Sequence, residues 1–159
     1  MDRGVESRRE HRLILAGYLF AVGSTVHMVD HLRRGQGSVT AELYWVGTVA
    51  LAVQVAVITL VLTRHRVAPL AAAATGFPLA LGFFAAHWLP HWSGLSDPVW
   101  KIGSWFSYVA SSLEIIGALA LGLTGLSIVR ARGLAAFGHP AGGTTPSSAP
   151  NHSAAVSAP

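Results

Sequence analysis

Four long apolar runs alternate with short polar or arginine-bearing turns: Leu13 to Leu32, Leu43 to Thr63, Val67 to Leu89, and Ser104 to Val129. About 20 residues at 1.5 Å each cross a hydrocarbon core of about 30 Å, so each run predicts a membrane-spanning helix. The second is the plainest, with Gln54 its only strongly polar interior residue. The third carries Ala72, Gly76 and Ala80 at four-residue spacing, which admits a close neighbouring backbone, and Pro78, which predicts a kink. The fourth is longer than a crossing needs, which predicts a tilt or a first turn above the hydrocarbon. The predicted fold is all-α, an integral membrane four-helix bundle running up-down-up-down. Its divisions are a polar N-terminal arm (1–12), the helical domain (13–132, helices about 13–32, 43–63, 67–89 and 104–129) and a tail (133–159). The tail is rich in Pro, Gly, Ser and Ala and is expected to be disordered.

Within the runs, polar and small residues recur at helical spacing. Ala16, Phe20, Gly23, His27 and Asp30/His31 share one stripe of the first helix, and Ser107, Ser111, Glu114, Ala118 and Gly122 one stripe of the fourth. On the third, Ala72, Gly76, Ala80 and Phe84 lead on to His87. In a bilayer such stripes turn inward, leaving leucine and valine to lipid.

Charge sets the orientation. Four arginines in the arm, Arg64 and Arg66, and Arg130 and Arg132 share one side, against Arg33, Arg34 and Lys101 on the other; the excess marks the first side, with both ends of the chain, as cytoplasmic. A signal peptide is the competing reading of the first run, through the small residues Ala21-Val22-Gly23. The run continues past that point, however, and the preceding segment contains three acidic residues. Trp92, Trp100 and Trp105 then rest at the outer headgroup interface. Only 11% of residues are charged and 52% are hydrophobic, which leaves no free basic domain for nucleic acid; the expected partners are the lipid bilayer and itself or another membrane protein. Scarce lysine beside abundant arginine, alanine, glycine and valine suits a GC-rich bacterial genome, hence a bacterial plasma membrane.

This orientation brings His27, Asp30, His31, His87, His91 and Glu114 into the outer half. His27 lies about 7.5 Å inside Leu32. Glu114 lies about 15 Å in if the fourth helix enters at Ser104, or about 9 Å if the hydrocarbon begins near Tyr108. The second case, favoured by that helix's excess length and early aromatic residues, gives the two a similar depth. Ionisable groups at such depth are costly unless they face protein or water, and mark functional sites. His27 and His31 at i and i+4 suit two ligands of one metal ion, with His87, His91 or the Asp30 carboxylate completing the shell. Without cysteine the donors are nitrogen and oxygen, which suit zinc, copper(II) or iron; haem between histidines of two helices is the narrower version. Glu114 is the candidate general acid/base if a metal-bound water serves an enzymatic reaction. Two alternatives stand beside this: a structural His27–Glu114 pair in an accessory membrane protein, and a proton relay through His27, Asp30 and Glu114. No Walker loop, nucleotide fingerprint or serine-hydrolase elbow is present.

Overall fold

The computed structural model describes residues 3–35 and 37–133; the tail expected to be disordered lies outside them, apart from Gly133. Among the described residues there are five helices and no strand: α1 (Arg3–Arg34), α2 (Ala41–Leu62), α3 (Ala68–Trp88), the short α4 (Val99–Ile102) and α5 (Trp105–Arg132). The four long ones are each long and apolar enough to cross a membrane. α1 begins well before the apolar run. Its first turns are held by Arg132 of α5, which donates through Nε to Glu6 Oε1 at 2.9 Å and also pairs with Glu10.

Local chemistry explains the ends. The Thr40 side chain caps α2 by accepting from Leu43 N at 3.1 Å. Pro69 stands in the first turn of α3, where its missing N–H is not needed. α3 stops at Leu89, whose extended conformation is what the following Pro90 demands. α4 ends at Gly103, held left-handed at φ 68°.

α5 is the central helix, gripped by α1 and α3, while α2 leans more lightly on those two. Arg132 meets Glu6 at one end and Ser107 meets Asp30 at the other, so α1 and α5 run antiparallel. The crossings need glycine. A Cβ at Gly23 would stand 2.7 Å from the Leu113 carbonyl oxygen, and one at Gly76 2.5 Å from Gly122 N, so backbones touch where side chains would otherwise hold them apart. Around these crossings pack Leu13, Phe20, Val57, Val61, Ala72, Ala80, Leu121 and Ile128. The α1 and α5 stripes are buried nearly as the spacing predicts. On α3 the stripe shifts: Phe84 is exposed, and Phe83 packs against the core and lies 6.4 Å from the His27 ring.

Gly82 offers the control for these contacts, since a Cβ there meets nothing within 4 Å. Gly76→Ala is expected to cost about 1–3 kcal/mol of stability by overpacking, whereas Gly82→Ala leaves stability unchanged or slightly raises it. Unfolding followed by circular dichroism in detergent compares the two.

Candidate metal centre

The helical phase of α1 puts His27 and His31 on one face, and the last turn of α3 carries His87 to them. The ring centroids lie 4.6 Å apart for His27–His31, 4.7 Å for His27–His87 and 6.1 Å for His31–His87. Each ring offers one nitrogen within 4.8 Å of those of the other two. The tightest approach is 2.9 Å, between Nε2 of His27 and Nε2 of His31. From α5, Glu114 Oε2 reaches to 3.6 Å from His27 Nε2, on a residue only 2% exposed. His27, His31, His87 and Glu114 therefore converge from three helices.

Two other residues singled out by the sequence stand apart. His91 lies exposed in the loop after α3, because the chain leaves the helix at Leu89. Asp30 is buried but is taken up by other groups. Its Oδ1 accepts from Arg33 Nη2 at 2.7 Å and from the Ser107 hydroxyl at 2.9 Å, and Arg34 Nε stands 3.4 Å from Oδ2. A carboxylate so occupied neutralises arginine at the end of α1 and faces away from ligand duty.

Arg34 sets the proton arrangement of the rings. It donates to both carboxylate oxygens of Asp97, through Nη1 at 3.2 Å and Nη2 at 2.5 Å, and Nη2 lies 2.9 Å from His31 Nδ1. A guanidinium has only donors, so His31 Nδ1 accepts and His31 carries its proton on Nε2. His31 Nε2–H then donates to His27 Nε2, which leaves the His27 proton on Nδ1. His87 is fixed from the other side: its Nδ1 donates to the Asp97 backbone carbonyl at 3.1 Å, which leaves a lone pair on Nε2. An imidazole held through its second nitrogen by a carbonyl is the arrangement metal-ligating histidines use.

The deeper side of the cluster is polar and unsatisfied. Ser24 of α1 and Gln54 of α2 bear on the Glu114 carboxyl. Yet Ser24 Oγ, Gln54 Oε1, His27 Nδ1 and Glu114 Oε2 are all buried without a completed hydrogen bond. A buried polar group left bare costs about 1–3 kcal/mol, so this layer favours whatever pairs these atoms.

Asp97 is the residue sequence reasoning missed, together with the part played by Arg34. Asp97 sits in the loop between α3 and α4, and that loop is tightly made. Asp97 N donates to Ala86 O at 2.8 Å, Trp92 Nε1 to Ala85 O at 3.0 Å, and Trp92 N to Ser96 Oγ at 3.1 Å. The Thr40 hydroxyl donates to Gly94 O, joining this loop to the start of α2. The available signal was scarcity: the chain has only seven acidic residues, so one in a short loop calls for a cationic partner.

Comparison with protein-family models, with curated proteins and with solved structures returns no match. The geometry therefore carries the functional argument alone.

Arg34→Ala leaves Asp30 and Asp97 without a buried counter-charge and is expected to cost about 3–5 kcal/mol. Arg33, whose side chain is 48% exposed, is expected to cost about 1 kcal/mol or less when changed to alanine. Denaturant unfolding of both variants in the same detergent checks the ranking.

Proposed function

We propose that the protein is an integral four-helix membrane bundle that binds a divalent first-row transition-metal ion through His27, His31 and His87. The ion sits near the outer face, and Glu114 is the fourth donor. The bundle runs up-down-up-down in a bacterial plasma membrane, with the arm at 1–12 and the tail at 133–159 cytoplasmic. The helix lengths and the excess of arginine at one end support that orientation.

One observation carries the metal reading. A tetrahedral zinc site with bonds of about 2.0–2.1 Å places its ligand atoms about 3.3 Å from one another. His27 Nε2 stands 2.9 Å from His31 Nε2 and 3.6 Å from Glu114 Oε2, on either side of that spacing, and the ligand nitrogens of the three histidines all lie within 4.8 Å of one another. Three imidazoles and a carboxylate suit zinc, copper(II), iron(II) or nickel. The carboxylate brings the negative charge that offsets both the ion and nearby Arg34. Holding an ion through His31 Nε2 would require that ring's one proton to move to Nδ1, which would give up the Arg34–His31 hydrogen bond and leave Arg34 with Asp97 and Asp30.

The same distances weigh against haem. Rings whose centroids lie 4.6–6.1 Å apart leave no slot for a macrocycle between any two of them. They also weigh against a proton relay as the principal role, because Arg34, at the loop end of the chain of hydrogen bonds, does not give up its proton.

Elemental analysis of detergent-purified protein, with cobalt(II) absorption as the probe of geometry, tests the proposal. Wild type is expected to hold about one ion per chain and to give a tetrahedral cobalt spectrum. The His27→Ala/His87→Ala double variant, still folded by circular dichroism, is expected to lose both, and Glu114→Gln to bind more weakly with an altered spectrum. A metal-free wild type that stays so when zinc, copper, iron and nickel are offered overturns the reading.

A further inference from the structure

The opposite end of the bundle carries a second site that the metal reading does not touch. A cavity of about 130 Å³ opens there among α1, α2, α3 and α5. Its floor is apolar, with Leu13, Val61 and Pro69, and its rim is Arg64, His65 and Arg66. Arg132 and Glu10 also line it, and Arg132 is engaged by Glu6 and Glu10. The cavity straddles the level at which the apolar runs of all four long helices begin or end, where the phosphates of a bilayer leaflet lie.

Arg64 is the unusual residue. It is the one non-glycine residue with positive φ among those described, at 54°. The turn around it closes with two bonds, His65 N to Leu60 O at 2.9 Å and Arg64 N to Val61 O at 3.1 Å. These are the paired bonds of a Schellman ending, and Arg64 occupies the left-handed position that such endings give to glycine. A side chain there is strained, and strain of this kind is kept where the side chain has work to do. What Arg64 gains by being arginine is a guanidinium on the rim of the cavity.

We infer that this cavity binds the phosphate headgroup of an anionic phospholipid, with Arg64 pairing its oxygens and the apolar floor receiving the first carbons of its chains. Basic pockets between membrane helices on the cytoplasmic side recognise acidic headgroups by this combination of charge and apolar wall. A free phosphate shares the charge chemistry but has no use for Leu13, Val61 and Pro69.

The test uses the full chain in detergent, with short-chain phosphatidylglycerol, short-chain phosphatidylcholine and inorganic phosphate as probes, read by thermal unfolding and by native mass spectrometry. Phosphatidylglycerol is expected to bind and raise the unfolding temperature, and the other two to do so weakly. Arg64→Gly relieves the strained backbone, so it is expected to unfold at a higher temperature than wild type without lipid, yet to bind phosphatidylglycerol about fivefold more weakly. Arg64→Lys, which keeps the charge, is expected to retain most of the lipid response. Unchanged lipid affinity in Arg64→Gly, or an equal response to phosphatidylcholine, overturns the inference. An equal response to inorganic phosphate overturns the lipid assignment.

Discussion

Backbone-to-backbone contact at glycine is the constraint on which the structure depends. In a protein whose surface and interior are both apolar, burial of hydrocarbon does little to choose one helix packing over another, and close fit must decide. Here α5 receives Gly23 of α1 against its Leu113–Glu114 backbone and Gly76 of α3 against its Ala118–Gly122 backbone, while its own Gly117 and Gly125 admit Phe20 and Pro69. These crossings fix the height of α1 and α3 on α5. One turn of slippage would be about 5.4 Å, enough to take His27 away from both Glu114 and His87.

On that frame the chain places ionisable groups where each must be answered locally. Near the last turn of α1 the carboxylates are answered: Asp30 has Arg33, Arg34 and Ser107, and Asp97 has Arg34, although Arg34 Nε itself completes no hydrogen bond. One level deeper, around His27, Glu114, Ser24 and Gln54, they are not. The division is informative. The bidentate Arg34–Asp97 pair at the rim thus stands above a layer in which several donors and acceptors lack protein partners, the kind of polar network whose pairing decides its energetic sign.

Much of this was legible in the residues because it is local. Run length gave the four long helices, and the recurrence of small and polar residues at three and four gave the buried faces of α1 and α5. His27 and Glu114 could be paired by depth alone. What depended on the path of a loop was not legible. His91 looked like the i+4 partner of His87, but Pro90 ends the helix between them, and Asp97 reaches the site only because the loop after α3 folds back over α1. Phe83 rather than Phe84 joins the core because the buried face of α3 advances by three residues after Ala80 instead of four. The helical start of α1 rested on a contact with Arg132, more than a hundred residues away.

Asp97 couples the covering of the histidines to their aim. Its carboxylate holds Arg34, its backbone carbonyl holds the His87 ring, and its own N–H is tied to Ala86. The segment that shields the three imidazoles is thus the segment that orients one of them, and it cannot lift without releasing that ring. Lifting that loop would therefore break the Arg34 pair, the His87 bond and the Ala86 bond together, so the three contacts are made and lost as one unit.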